Sequence, residues 1–432
     1  MGEIGSIDIV YALIYIVLMA CIFWRHQRQI DWRWGAGSII LLTYVLYPIV
    51  GAFWFFDPNR PYGEVVPLRL FPFIYLALME WIALRPTLQY DRNDIQKIEP
   101  PTILFLNIFA IIYILCTLMQ IPNILSHIAD GLRSIMMDSD AGADLYYESQ
   151  SEDSNYDGAI SNVPAIIFNI FSPLAFFLFF YYLTLEKRRL WAILGFGVCI
   201  LIKSFHSLSN GQRTEVTMSV FNIIIAYLAL KPMLSQQVKR WVRVILISLA
   251  VLITIPFIAL SVSRFGEEEG GLLGGIIYYT GEAPYYFNNY ALDANGIRYG
   301  DRTCNVFKKF IGLSSPNGIF DVRNTYYDMK MDDSIFSTFV GDFVLDFGGT
   351  VTAILFILFS IVFCLLTRTN APNRIPFHRA VLVYFAMTVC MQGGMYLFNY
   401  SFEANLQILA VFIFYLFFGL EYLLRHRHHE PV

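Results

Sequence analysis

Polar residues of chemically useful types recur at helical spacing near the end of an apolar segment. They lie in "LIKSFHSLSNGQRTE" and are Lys203, His206, Asn210 and Arg213, which are 3, 4 and 3 residues apart. That spacing places all of them on one face if the helix is continuous. An ionisable side chain in lipid costs about 2.5–3.5 kcal/mol on insertion scales, so such a face usually meets a wet cavity or a partner. The alternative is a lysine that extends to the headgroups and an arginine that binds lipid.

A second arginine stands at the outer end of another apolar segment, in "SVSRFGEEEGG". Arg264 and Arg213 together suit a diphosphate, because a guanidinium group forms paired hydrogen bonds with phosphate and keeps its charge. Such a pair would also stabilise a diphosphate as it leaves. A salt bridge from Arg264 to Glu267 or Glu268 is the alternative interpretation.

Tyrosines and one acid follow in "YYTGEAPYYFN". Tyr279 offers an aromatic face on which a sugar ring can stack. Glu282 offers a carboxylate that can act as a general base. Tyrosines at a membrane interface also serve as anchors, and that alternative stays open.

Two further acids lie four residues apart in "STFVGDFVLDFGG" and so share a helix face. Because like charges near lipid disfavour each other, we expect either Asp342 or Asp346 to hold its proton or to meet a cation such as Arg213. A catalytic base, a cation partner and a simple helix N-terminal charge all remain open for this pair.

The composition is that of an integral membrane protein. Of the 432 residues, 56% are apolar and 17% are aromatic, which is more apolar surface than a soluble domain can hide from water. The net charge of -4 and the scattered basic residues do not suggest a nucleic-acid partner, and we expect none. The six cysteines show neither pairing nor metal-ligand spacing, so we expect no structural disulfide and no zinc.

The predicted fold is all-α, a polytopic transmembrane helical bundle of about 11 spans of about 20 residues each. These spans lie near residues 8–24, 38–56, 68–84, 101–119, 164–184, 191–208, 216–231, 243–262, 345–366, 380–398 and 405–424. With the N-terminus outside, more than half of the 30 basic residues fall in short inner segments, as the positive-inside rule requires. The C-terminus is then inside.

We expect a single integral membrane domain over 1–432 with two long outer loops. The loop at 120–163 is acidic and its centre has the composition of a flexible segment. The loop at 263–344 is rich in Tyr, Asn and Gly, is predicted to contain short helices, and carries part of the candidate site.

The order of three motifs, "NGQRTE", "YYTGEAPYYFNN" and "FSTFVGDFVLDFGG", resembles that of Wzy-type oligosaccharide repeat-unit polymerases. These are the O-antigen and capsule polymerases of bacterial inner membranes. The resemblance covers about 200–350 in motif, and the remainder only in span number and loop plan.

The resemblance implies a glycosyltransferase that joins undecaprenyl-diphosphate-linked oligosaccharides at the periplasmic face and needs no nucleotide, metal or other cofactor. An acceptor hydroxyl attacks the anomeric carbon of the donor, and undecaprenyl diphosphate leaves. Its partners would be these lipid-linked glycans and membrane lipid, with a chain-length regulator and a flippase as further proteins. The expected roles are diphosphate binding by Arg213, Arg264 and Lys203, substrate binding by Asn210, Glu215 and Tyr279, and a base among Glu282, Asp342, Asp346 and His206.

Two other functions remain open at this point. An O-antigen ligase would use the same donor, but the outer-loop histidine expected of it is missing from 263–344. A flippase for lipid-linked oligosaccharides would use a cationic cavity for translocation, although transporters usually carry charge in several spans and internal repeats.

Overall fold

The computed structural model describes residues 5–57, 66–122, 124, 163–187, 189–209, 213–244, 271–316, 319–331, 335–369, 371, 373–396 and 402–427. For 207–209, 213–217, 271–273, 319–320, 402 and 427 the description is limited to the backbone. The predicted span at 243–262 falls almost wholly outside these ranges. So does most of the acidic loop at 120–163.

The described chain is all-α, as predicted, apart from one short ribbon of two strands. The helices are α1 (Ser6–Gln29), α2 (Ala36–Phe55), α3 (Leu70–Arg92), α4 (Ile103–Leu118), α5 (Val163–Ile170), α6 (Ser172–Thr184), α7 (Leu190–Ser209), α8 (Arg213–Leu230), α9 (Gly271–Tyr290), α10 (Asn305–Phe310), α11 (Ile319–Thr325), α12 (Thr338–Leu366), α13 (Phe377–Gly393) and α14 (Phe402–Arg427). The strands are β1 (Lys97–Glu99) and β2 (Arg374–Pro376), which pair in parallel.

The chain divides into two compact units. Unit 1 comprises Met1–Asn93, Glu267–Thr367 and Ala386–Asn405. Unit 2 comprises Asp94–Gly266, Arg368–Phe385 and Leu406–Val432. Each unit is assembled from segments far apart in sequence, which a linear hydropathy pattern does not reveal.

In unit 1, α1, α2 and α3 pack against one another, α9 packs on α2, and α12 packs on α3. The α2–α9 contact depends on two glycines, because a Cβ atom at Gly51 or at Gly281 would collide with the backbone of the other. The hydroxyl of Tyr285 donates to the carbonyl of Pro48 at 2.9 Å across the same contact. Close backbone approach therefore fixes the position of α9, which carries Tyr279 and Glu282.

In unit 2, α6 packs on α7 and α8, and α4 packs on α5 and α7. α5 and α6 form a bent pair with an angle of 64° between them. Ser172 and Pro173 open α6, and proline favours the first turn of a helix but cannot continue one that precedes it. The bend therefore has a local cause in the sequence.

Four of the described helices are long and apolar enough to cross a membrane: Ser6–Gln29, Ala36–Phe55, Thr338–Leu366 and Glu403–His426. The bent α5–α6 pair would make a fifth. The chain therefore has the features of a membrane protein, but about 11 spans are not confirmed in the described residues. Helices such as α4, with 16 residues, are shorter than the roughly 20 residues that a straight span requires.

Candidate functional site

Lys203 and His206 lie together on α7 in unit 2. The Lys203 Nζ atom is 5.7 Å from the centroid of the Phe168 ring, and the His206 ring centroid is 6.0 Å from it. The spacing of three residues thus places both side chains on one helix face, as predicted. A lysine ammonium at this distance is attracted by the negative face of the aromatic ring, which stabilises the charge in an apolar setting.

The place of Arg213 on this polar face stays a prediction. The structure describes α7 to Ser209 and α8 from Arg213, and residues 210–212 between them lie outside the described ranges. Asn210 and Arg264 lie outside the described residues, as do the side chains of Arg213 and Glu215.

The bend beside Phe168 brings polar backbone and side-chain atoms together between α5 and α6. The Asn169 carbonyl accepts hydrogen bonds from Ser172 Oγ at 2.9 Å and from Gln407 Nε2 at 3.1 Å. The Asn169 Oδ1 atom is buried without a hydrogen-bond partner. Polar groups are common where membrane helices are broken, so this bend and Lys203 form one polar region of unit 2.

The acids at the start of α12 meet an arginine that the sequence analysis did not single out. Asp346 is fully buried, and its Oδ1 accepts from Arg298 Nε at 2.7 Å. Its Oδ2 accepts from the backbone N–H of Thr303 at 2.7 Å. Asp342 Oδ1 lies 3.8 Å from Arg298 Nη2 and 3.8 Å from Arg302 Nε. Asp342 and Asp346 therefore do meet cations, as one of the sequence-based alternatives predicted. Among the described residues these cations are Arg298 and Arg302.

A break in α12 completes the binding of Arg298. Gly348 has φ 75°, a left-handed value that glycine adopts without steric cost. A break there removes the helical partners of carbonyls just before it, and the Leu345 carbonyl accepts from the Arg298 N–H at 2.8 Å instead. The Asp342 carbonyl accepts from Arg298 Nη2 at 3.2 Å. Arg298, which is 1% exposed, is thus held by both side chains and backbone.

A signal for this network is present in the sequence. Arg298 and Arg302 are four residues apart, as are Asp342 and Asp346. Two cations and two anions of equal spacing suit a paired arrangement when their segments lie side by side. Spacing by itself does not indicate which segments meet, so the match was missed.

Glu282 has a different environment on α9, a helix that is not among the candidate spans. It is 2% exposed, and its Oε2 atom has no hydrogen-bond partner. Burial raises the pKa of Glu282 to about 8, although hydrogen bonds with Tyr278 and the Phe336 backbone oppose the rise. Burial and the neighbouring Glu282 raise the pKa of Tyr278.

The surroundings of Glu282 are aromatic and partly accessible. Tyr279 is 38% exposed and makes an edge contact with Phe336, with the ring centroids 6.1 Å apart. Phe336 stacks on Tyr396 at 5.3 Å. Two residues after Phe336, Thr338 has φ 68°, a strained value for a β-branched residue. Backbone strain of this kind concentrates at functional sites, which makes Glu282 the leading candidate for chemistry.

An open, polar depression of about 530 Å³ lies in the loop region of unit 1. Its lining residues are Asp301, Ser314, Ser315, Pro316, Asp321, Asn324 and Thr325. Asp301 is oriented by an ion pair with Lys308 and by hydroxyl donors, Ser315 Oγ at 2.9 Å and Tyr326 at 2.6 Å. Hydroxyl, amide and carboxylate groups can exchange hydrogen bonds with a ligand that is rich in hydroxyl groups.

The described part of the chain offers no candidate set of metal ligands. Among those residues, no group of three or more His, Cys, Asp or Glu side chains is placed to hold a metal ion. The six cysteines are free thiols.

No protein-family model, no curated protein and no solved structure matches this chain.

Proposed function

We propose that this chain is a glycosyltransferase of the bacterial inner membrane that polymerises undecaprenyl-diphosphate-linked repeat units into O-antigen, capsule or exopolysaccharide. The apolar helices and the order of the three motifs support this assignment. The reaction takes place at the periplasmic face, with the N-terminus periplasmic and the C-terminus cytoplasmic, as the distribution of basic residues favours.

Glu282 is the residue that carries the proposal. A general base is most efficient when its pKa lies near the working pH, and burial brings the pKa of this carboxyl to about 8. Its partner-free Oε2 atom has capacity to accept a proton. Tyr279, one turn away and partly exposed, supplies an aromatic face for a sugar ring.

The proposed step is a single displacement. Ionised Glu282 takes the proton from the acceptor's non-reducing-end hydroxyl while that oxygen bonds to the donor's anomeric carbon. The bond between this carbon and the diphosphate oxygen breaks, and undecaprenyl diphosphate leaves with the electron pair. Inversion at the anomeric carbon is expected from one displacement.

Other residues receive supporting roles in this proposal. Tyr279 contacts sugar. For Lys203, Arg213 and Arg264, binding of the diphosphate stays a prediction from the sequence. Asp346 is assigned a structural role, because Arg298 and Thr303 already engage both of its oxygens. The depression beside Asp301 contacts acceptor glycan.

A flippase for the same lipid-linked sugars is the second candidate. The bent α5–α6 pair favours it, because broken helices near a cation are a common feature of membrane transporters. A flippase needs Lys203 but has no use for a base such as Glu282.

The test is to delete the gene in its host and to compare surface glycan with the lipid-linked pool. Loss of the long-chain ladder, with single repeat units still exported, supports the polymerase. Long chains stranded on the lipid carrier would indicate a ligase, and single units trapped at the inner face would indicate a flippase.

Complementation of the deletion with variants tests the role of Glu282. Glu282→Gln should leave the ladder absent although the protein is present in the membrane. Asp293→Asn is the matched control, because Asp293 is an exposed carboxylate in the same unit, and it should restore the ladder. A full ladder from Glu282→Gln would remove this residue from the reaction.

A further inference from the structure

Three large apolar side chains are exposed on a short turn of unit 1 that is not part of any candidate span. The turn follows α10 in "KKFIGL". Phe310 is 65% exposed, Ile311 73% and Leu313 53%. Exposed apolar side chains are expected on lipid-facing spans, but outside them a cluster of this kind marks an interaction surface.

The backbone of this turn is well defined by its hydrogen bonds. The Leu313 N–H donates to the Lys308 carbonyl at 2.9 Å, and the Gly312 N–H donates to the Lys309 carbonyl at 3.1 Å. Gly312 has φ 77°, so the pair of bonds forms a Schellman motif that ends α10. The motif normally buries an apolar contact at its end, but here Leu313 is exposed.

Two hydrogen bonds hold the start of α10 close to a candidate membrane span. The Asn405 side chain donates to the Thr303 carbonyl at 3.2 Å and accepts from the Val306 N–H at 3.4 Å. Asn405 is the third residue of the candidate span Glu403–His426. From Val306 to Ile311 a helix rises only about 7.5 Å, so the turn lies within reach of the headgroup layer at that end of the span.

The flanking charges fit a lipid surface. Lys308 and Lys309 precede the apolar tip, and Lys308 is held by an ion pair with Asp301. Lysines beside exposed Phe, Ile and Leu are the composition of segments that lie in the membrane interface. In this arrangement the apolar tip enters the acyl boundary.

We propose that the Phe310–Leu313 turn is an interfacial membrane anchor that inserts Phe310, Ile311 and Leu313 into the lipid bilayer. The anchor fixes the loop region of unit 1, including the depression beside Asp301, at the headgroup level. It is independent of the reaction that the protein catalyses.

The test places an environment-sensitive probe on the turn of the full-length protein in lipid nanodiscs. Ile311→Cys is labelled with the fluorophore NBD, and the signal of the identically treated unsubstituted chain is subtracted because native thiols also react. Asp328→Cys is the matched control, because this exposed polar residue belongs to the same loop region. We expect blue-shifted emission at position 311 that nitroxide-labelled lipids quench, and water-like, unquenched emission at position 328.

Water-like emission at 311, equal to that at 328, would overturn the proposal. Blue-shifted emission that lipids do not quench, and that disappears in discs containing one chain each, would also overturn it in favour of a second copy. A further variant, Leu313→Asp in the labelled Ile311→Cys chain, should lose the lipid quenching while its helical circular dichroism is unchanged. Retention of full quenching in that variant counts against insertion of the turn.

Discussion

Two buried acids of unit 1 differ in how their charge is compensated. Asp346 shares its oxygens between the Arg298 side chain and the Thr303 N–H, both at 2.7 Å. Glu282 is almost as deeply buried, but one of its oxygens has no hydrogen-bond partner, and its pKa is raised to about 8. The two acids are therefore buried to a similar extent. They differ in the hydrogen bonds and cations that stabilise their negative charge.

The comparison separates the carboxylate that we propose to be structural, Asp346, from the one that we propose to be reactive, Glu282. Donors to both oxygens hold a buried carboxylate in place, and breaking such an ion pair costs stability. A carboxyl that burial keeps protonated near neutral pH can exchange its proton under physiological conditions. The following four experiments test that separation, from the largest expected effect to the smallest.

Arg298→Ala should be the most damaging change. It leaves Asp346 buried without its cation and Asp342 with Arg302 alone, and removal of one partner from a buried pair costs about 3–5 kcal/mol. The free energy of unfolding of the purified protein in detergent measures this loss. Lys330→Ala is the control, because its pair with Asp293 is exposed and should contribute at most about 1 kcal/mol. Equal losses in both variants would contradict a structural role for Arg298.

Glu282→Gln should lower the transfer rate by about 10²–10⁴-fold, the usual contribution of a general base. Stability should change little at pH 6, because glutamine keeps the shape of the protonated acid. The rate is measured with purified protein and lipid-linked repeat units, and the unfolding free energy is measured in parallel. If Glu282→Gln lowers the free energy of unfolding as strongly as Arg298→Ala does, Glu282 has a structural role like that of Asp346.

Gly281→Ala tests whether the close α2–α9 contact positions Glu282. The added Cβ collides with the backbone of Gly51, and overpacking of this kind costs typically about 1–3 kcal/mol. Gly197→Ala is the control in α7, because its Cβ would meet Phe179 at an ordinary 3.6 Å. Alanine there should stabilise the helix by up to about 1 kcal/mol. If Gly281→Ala is tolerated as well as Gly197→Ala, α2 and α9 can move apart at little cost, and their close contact is not needed to position Glu282.

The pH dependence of rate and stability should have opposite signs. A base with a pKa of about 8 is mostly protonated at pH 7, so the rate should rise about tenfold by pH 9. The unfolded chain loses this proton near pH 4.5, whereas the folded chain loses it near 8. Stability therefore falls as pH rises across that window and levels off above it. Both trends should disappear in Glu282→Gln, and a flat wild-type rate would exclude Glu282 as the base.

Local patterns in the sequence predicted the helices well where long apolar runs dominate. Helices that cross lipid must satisfy their backbone hydrogen bonds internally, so hydropathy and length identify α1, α2, α12 and α14 directly. The shared face of Lys203 and His206 followed from helical spacing. The place of Arg213 on that face stays a prediction, because residues 210–212 and the Arg213 side chain lie outside the described part of the chain.

The sequence by itself determined that the chain is helical and apolar enough for a membrane, and which acids and cations are candidates for chemistry. Only the tertiary structure decided that Arg298 pairs with Asp346 across 48 positions of sequence while Glu282 keeps an oxygen without a partner. The reason is physical. Helix formation depends on neighbours along the chain, whereas charge compensation depends on which distant segments pack together and exclude water.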